Sequence, residues 1–315
     1  MKIMFIPLTM SSIMVMSSNN WVSMWIGMEI NMVGFVPMMK SKTKESSKSM
    51  TIYFLAQSMG SSLFLYALLS QWLYPLYNQS MMTSLVMMSM MIKMGVPPMH
   101  AWMVSMMKTM DWTQCFILMT WQKLAPLAVM FQISESINNT CLMGIMCSIT
   151  GSIGGLNQTS LRKIMAYSSI SHMGWMLIMT LSENKWLVYI TLYSAATFML
   201  CYLFNKESIF FINQLSMKSK LNKISFATMI MNLGGLPPTM GFMMKWISIQ
   251  FMIEMSMTVT ATLMIMTWFY MNMTYPMLTM SMKSMKISSK LEMDYSVMTV
   301  ASISIPLVLT INKLI

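Results

Sequence analysis

Two stretches decide how this chain folds: Lys93-Met94-Gly95-Val96-Pro97-Pro98 and Leu233-Gly234-Gly235-Leu236-Pro237-Pro238. The first cuts an apolar run from 81 to 107, and the second cuts another from 224 to 254. Proline removes a backbone donor and clashes with the preceding turn, so both runs must break there as helices. The sequence around them sets the solvent. The chain has 315 residues, 56% hydrophobic and 9% charged, with a mean hydropathy of +0.59. A soluble domain carries about 25% charged residues, so lipid is the main solvent here. At membrane depth an unpaired backbone group is tolerated only against protein or a water-filled cavity. Each break therefore points inward.

Outward from the breaks, apolar runs long enough to cross a bilayer fall near 3–18, 21–39, 50–70, 81–107, 112–132, 140–157, 163–181, 186–204, 224–254, 257–276 and 296–314. The fold class expected is an all-α polytopic membrane protein of about eleven transmembrane helices. Little chain lies between the runs, which leaves no room for a separate soluble domain. The N-terminal Met1-Lys2-Ile3 enters the first run with no small-residue cleavage site, which predicts a retained helix and not a signal peptide.

The cations test this count. Lys2, Lys40, Lys42, Lys44, Lys48, Lys108, Arg162, Lys163, Lys206, Lys218, Lys220, Lys223, Lys283, Lys286 and Lys290 occupy the N-terminus and the loops after even-numbered helices. The opposite loops and the C-terminus hold Lys185 and Lys313. This asymmetry places the N-terminus on the positive-inside face. The net charge of +11 is thereby assigned to basic loops and not to a nucleic-acid partner.

Each break lies in the fourth helix of a five-helix group, 1–139 and 140–276, followed by a loop and final helix over 277–315. Five is odd, so the second group enters the membrane from the other side. Two inverted repeats with paired interrupted helices are the arrangement in which such helices flank an ion path. The simpler alternative is two unrelated proline kinks.

Three lysines and a glutamate fall inside the runs: Glu29, Lys93 before the first break, Lys123 in Thr120-Trp121-Gln122-Lys123-Leu124-Ala125-Pro126, and Lys245 beyond the second break. A charged residue at a helix centre costs about 2.5–3.5 kcal/mol on insertion scales, so four together demand pairing or hydration. Burial disfavours a charged lysine and a nearby carboxylate favours it. Such a group can hold protons whose affinity depends on geometry, a Glu29–Lys93 pair opening or closing to load or empty a lysine. The competing reading is that each lysine snorkels to an interface or makes a static pair. His172, inside the seventh run, is a candidate relay or a packing residue; His100 is a weaker candidate; Glu254 reads as structural. Gly151-Ser152-Ile153-Gly154-Gly155 lacks the strand and helix context of a nucleotide loop, and reads as small residues for close helix packing.

Cys115, Cys141, Cys147 and Cys201 all lie in apolar runs without a C-x-x-C pair, against disulfide, zinc and iron–sulfur roles. No P-loop or dinucleotide fingerprint stands out, and two histidines are too few for a two-haem cytochrome b or a haem–copper oxidase. Cofactor and metal binding by this chain are therefore not expected. Moving one charge against the membrane potential takes about 2.3 kcal/mol per 100 mV, so the energy must come from a partner or another ion's gradient. The 52 methionines, with Arg162 the one arginine among 20 basic residues, fit an A+T-rich genome that reads ATA as Met, which is a mitochondrial usage.

Five segments carry a resemblance, in order along the chain: Trp25-Ile26-Gly27-Met28-Glu29-Ile30-Asn31, the stretch from Lys93 to Trp102, that from Leu118 to Pro126, that from Met165 to Trp175, and that from Leu233 to Trp246. Together they resemble subunit 2 of mitochondrial NADH:ubiquinone oxidoreductase (respiratory complex I), in its shorter animal form. The resemblance implies an antiporter-like, proton-translocating membrane-arm subunit of the translocase. It also implies that NADH, FMN, iron–sulfur clusters and ubiquinone belong to the whole complex. Glu29 and Lys93 would be the coupling pair, Lys123 the central site and Lys245 the site toward the exit. Partners would be other complex I subunits, above all neighbouring antiporter-like ones, and membrane lipids, cardiolipin among them. The location would be the mitochondrial inner membrane, N-terminus in the matrix and C-terminus in the intermembrane space. The chain departs from the family after Trp102, where a usual Pro-Glu pair is replaced by Met103-Val104-Ser105-Met106. The alternatives are a stand-alone cation/proton antiporter of the same fold, and a structural membrane subunit with no proton traffic.

Overall fold

Serine is frequent in the apolar runs and does not break them. Ser11, Ser12, Ser49, Ser61 and Ser89 each return the hydroxyl to the carbonyl three residues back, at 2.7–2.9 Å. A polar side chain satisfied within its own helix leaves no orphan group for lipid or core to accommodate. Helices therefore dominate the computed structural model, which describes residues 2–40, 44–73, 79–133, 137–156, 158–182, 185–215, 220–236 and 239–255.

In chain order these are α1 (Lys2–Ser17), α2 (Trp21–Phe35) with a 3-10 turn Val36–Met39, α3 (Lys44–Leu73), α4 (Gln79–Met94), α5 (Ala101–Met107), α6 (Trp112–Met119), α7 (Trp121–Ile133), α8 (Ile137–Gly155), α9 (Leu161–Met179), α10 (Lys185–Lys206), α11 (Ile212–Leu215), α12 (Lys220–Gly234) and α13 (Met240–Glu254). Among the described residues the one isolated β-bridge joins Ser160 and Phe211. Among the described residues, four spans are long and apolar enough to cross a bilayer: Trp21–Met39, Glu45–Leu73, Trp112–Ile133 and Lys185–Lys206. The runs expected over 257–276 and 296–314, with Lys283, Lys286, Lys290 and Lys313, lie outside the described residues.

The helices depart from the expected runs at several points. First, the run 112–132 forms one apolar span, Trp112–Ile133, but in two helical pieces, α6 and α7. It is interrupted at Thr120 (φ −114°, ψ −69°), whose hydroxyl bonds back to the Phe116 carbonyl at 2.8 Å. Pro126 sits inside α7 and denies an N–H to the carbonyl four residues earlier, so the ladder is already weakened on this side. Second, Lys44 and Lys48 belong to α3, which is 30 residues long and extends beyond the run expected at 50–70. Third, Lys223 is not a loop cation: α12 begins at Lys220 and Lys223 is buried in its first turn. Arg162 likewise lies in the first turn of α9, its guanidinium 4.6 Å from the Phe210 ring centre.

The chain forms two compact units, Met1–Cys147 and a second that begins at Ser148. This division falls inside α8. In the first unit α1 packs along α2, α3 along α4, and α7 meets α1, α2 and α4. Gly27 makes the α1–α2 approach possible, since a Cβ there would lie 2.5 Å from Val15 Cγ2 and 3.2 Å from the Ser11 carbonyl. Tryptophans staple helices through backbone carbonyls: Trp25 Nε1 donates to Ser61 O and Trp121 Nε1 to Leu8 O, each at 3.2 Å. In the second unit α10 contacts α9, α12 and α13, and α13 also packs on α9 and α12. Gly151 lies on the Ser171 backbone and Gly154 on the Tyr167 ring, which bears out close packing by the Gly151–Gly155 stretch.

Candidate functional site

The backbone at the two breaks follows one pattern. Gly95 has φ +69° and Gly235 φ +78°, left-handed values that cost a residue with a Cβ about 1–2 kcal/mol. At the first break Gly95 N–H donates to Ile92 O (3.2 Å) and Val96 N–H to Met91 O (2.9 Å). At the second, Gly235 N–H is shared between Met231 O (3.0 Å) and Asn232 O (3.1 Å), and Leu236 N–H donates to Met231 O (3.4 Å). Both are the Schellman arrangement, which satisfies carbonyls left over at a helix C-terminus. So the glycines stop the helices in a defined way. Pro97 and Pro98 follow and prevent resumption until Ala101; Pro237 and Pro238 lie outside the described residues.

A helix C-terminus carries about half a negative charge and favours cations. Both breaks place a lysine there. Lys93 sits in the last turn of α4. Lys245, on α13, turns back so that Nζ donates to Gly234 O at 2.7 Å, the terminal carbonyl of α12. Other leftover carbonyls also find partners. Gln57 Nε2 donates to Lys93 O and Trp102 Nε1 to Ile92 O, both at 3.0 Å. Trp102 thus ties the far side of the break to α4. Met103 and Val104 are buried on the same short helix, so the chain keeps its α5 helix without the family's usual Pro-Glu pair.

Lys93, Lys123 and Lys245 are 6%, 2% and 4% exposed, so none snorkels to the protein surface. The stem of Lys93 runs over Gly60, where an added Cβ would stand 2.7 Å from Lys93 Cγ. Lys123 follows the Thr120 interruption and has Cys147 of α8 within electrostatic reach. A cavity between α3, α4 and α7 leaves about 10 Å³ for the centre of a water molecule, with both Lys93 and Lys123 in its wall. That is about the least space that admits one water.

The expected Glu29–Lys93 pair is not formed as a direct contact. Lys93 Nζ lies 3.8 Å from Met28 Sδ, and Glu29 Oε1 is buried with no hydrogen-bond partner. Neighbouring residues on a helix point about 100° apart, and α2 turns Met28 to the ammonium. Glu29 still acts on Lys93 through space.

A polar chain that the sequence reading did not single out crosses the same region. Tyr53 Oη donates to Gln122 Oε1 and Gln122 Nε2 donates to Asn31 Oδ1, each at 3.1 Å. It joins α2, α3 and α7. Gln122 and Asn31 stood beside Lys123 and Glu29 in the quoted segments, but nothing in their spacing said that they would meet.

His172 is 2% exposed in α9; its Nδ1 lies 2.8 Å from Tyr189 Oη and its ring 4.9 Å from that of Tyr193, both on α10. His100 is half-buried at the start of α5 and does not line the Lys93–Lys123 cavity. Glu254 pairs with Lys185 at 3.2 Å on the surface, side chains 65% and 45% exposed, in line with a structural role.

Interrupted helices that hold buried ammonium groups at their ends define an antiporter-like membrane protein. The family described as NADH:quinone oxidoreductase/Mrp antiporter, TM, matches residues 18–274. NADH-ubiquinone oxidoreductase chain 2 of Locusta migratoria is 40% identical over 84% of this chain and 80% of its own length. That of Anopheles gambiae is 38% identical over 87% and 84%, and that of the bat Saccopteryx leptura 36% identical over 95% and 94%. The chain belongs to the NADH-ubiquinone oxidoreductase chain 2 family. In solved structures its fold is similar to a chain of respiratory complex I from Thermus thermophilus (TM-score 0.83, 17% identity, 96% of this chain and 77% of that one). It is also similar to a chain of the Mrp complex from Dietzia (TM-score 0.79, 13% identity, 91% and 61%).

Proposed function

We propose that this chain is a proton-translocating, antiporter-like membrane-arm subunit of NADH:ubiquinone oxidoreductase. The observation that carries the reading is the burial of Lys93, Lys123 and Lys245 beside helix breaks in a chain 36–40% identical to chain 2 relatives over most of its length. A buried ammonium costs several kcal/mol in desolvation, and three are unneeded for a scaffold. Each can exist as a neutral amine once its proton leaves, so each can load and empty.

In this reading Glu29 influences Lys93 without a direct ion pair, Lys123 is the central site and Lys245 serves the exit side. His172 with Tyr189 offers a hydrogen-bonded donor–acceptor pair in the second unit. The two breaks belong to two inverted five-helix repeats, 1–139 and 140–276, with a further helix in 277–315. Electron transfer, with NADH, FMN, iron–sulfur clusters and ubiquinone, takes place in other subunits. The chain lies in the mitochondrial inner membrane, N-terminus in the matrix and C-terminus in the intermembrane space. Antiporter-like neighbours and lipids such as cardiolipin surround it.

Lys123→Met, in the complete membrane-embedded complex, tests the reading. Protons moved per NADH oxidised should fall while assembly and NADH oxidation with the membrane potential collapsed persist. A normal ratio in the assembled variant would leave the chain as a scaffold.

A further inference from the structure

The polar chain Tyr53–Gln122–Asn31 runs beside the cavity shared by Lys93 and Lys123. Its middle member, Gln122, lines the cavity that also has Lys93, Lys123, Gln57 and Tyr53 in its wall. The remainder of that wall is Met94, Trp102, Met103 and Leu118. A buried water needs about two to four polar partners, and the two lysines, two amides and one phenol supply them. Both amides are oriented from behind. Gln57 spends Nε2 on Lys93 O, and Gln122 is fixed at both ends, accepting from Tyr53 and donating to Asn31.

Resting on the proton-carrying role above, we propose that Gln122, held by Tyr53 and Asn31, is the positioning residue for a one-water link between Lys93 and Lys123. One proton passes from an ammonium to the water as another leaves the water for the neutral amine, so the water is regenerated at each transfer. Gln122 neither gains nor loses a proton. It holds the acceptor direction of the water between two nitrogens. Because Asn31 and Glu29 share α2, a shift of that helix would reach Gln122 directly, without an ion pair between Glu29 and Lys93. The Thr120 interruption gives α7 the freedom to follow, since the Lys123 N–H is held by the Thr120 carbonyl at 3.2 Å, a three-residue spacing.

The test uses Gln122→Met, Gln122→Glu and Tyr53→Phe in the whole complex, with Lys123→Met alongside. Met keeps the length of the side chain but cannot orient a water; Glu keeps an oxygen for Tyr53. Coupled turnover should fall about threefold or more in Gln122→Met and Tyr53→Phe, with a raised H2O/D2O rate ratio, and Gln122→Glu should recover part of the loss. A packing role alone would not move the isotope ratio. If Lys123→Met loses pumping while Tyr53→Phe and assembled Gln122→Met keep normal pumping and an unchanged ratio, the link is overturned and the relay stands. Normal pumping in Lys123→Met as well overturns both. Should Gln122→Met fail to assemble, Tyr53→Phe decides by the same two readouts.

Discussion

Gly60 shows how much depends on one missing side chain. The Lys93 stem crosses α3 at Gly60, where a Cβ would stand 2.7 Å from Cγ and 3.3 Å from Cε of the lysine, and 3.2 Å from the Ser89 carbonyl. The far end of a lysine can move, but the carbonyl belongs to α4 and cannot. Gly60→Val should therefore push α4 from α3, cost about 1–3 kcal/mol as overpacking, and reduce assembled complex measured by native gel. Gly60→Ala should assemble better yet pump less, since the lysine must leave its path. Full pumping in Gly60→Val would show that Lys93 does not depend on this passage. At the same scale, Lys123 and Lys245 could be read from composition alone as charges in apolar runs. The partners of Lys245 could not: a backbone carbonyl has no letter in a sequence, and Gly234 O is one of hundreds. Tyr53 and Gln57 were invisible for a related reason, being ordinary polar residues on a helix whose facing neighbours come from distant segments.

Elements explain why the lysines stand where they do. Gly-X-Pro-Pro specifies a stop, and in both units the stop takes the same form, a left-handed glycine with cap hydrogen bonds from its own N–H and from that of the next residue. Gly95→Ala and Gly235→Ala should each destabilise by about 1–2 kcal/mol, because an L side chain at positive φ is strained. The expected readout is a lower thermal inactivation temperature of NADH:ubiquinone activity, with a larger loss of pumping than of electron transfer. Gly95→Asn, which tolerates that conformation better, should lie between Ala and wild type. An Ala variant as stable as wild type would mean that the cap geometry is not a constraint. The interruption at Thr120 escaped sequence reading. One β-branched residue several positions ahead of a proline is common in intact helices, and whether the ladder yields is decided by what packs around it. The length of α3 escaped for the opposite reason: Lys44 and Lys48 read as loop cations, but a helix can extend beyond the lipid with charged residues in its first turns.

At the scale of the whole molecule, orientation across the membrane sets the direction of the proposed proton path. In the proposed orientation, argued from the clustering of cations after even-numbered helices, Lys206 and Lys185 lie on opposite sides of the membrane. Both are at ends of α10, a span of 22 residues. All four native cysteines are buried, so single cysteines can be labelled against a quiet background. Lys206→Cys should react with a membrane-impermeant maleimide in inside-out submitochondrial vesicles, and Lys185→Cys only in right-side-out preparations. The reverse pattern would invert the proposed topology and with it the direction of the proton path.

Sequence alone determined that this chain lives in lipid, that its apolar runs form helices, that two of them break at Gly-X-Pro-Pro, and that three lysines lie inside. Those facts are local: hydropathy, missing N–H groups and charge are properties of short stretches. Only the tertiary structure decided that Glu29 faces away from a direct bond with Lys93, that Lys245 binds the end of α12, and that Gln122 joins Tyr53 and Asn31 beside the Lys93–Lys123 cavity. Contacts of that kind depend on the rotation of each helix about its axis, about 100° per residue, and on which faces pack. No single run carries that information.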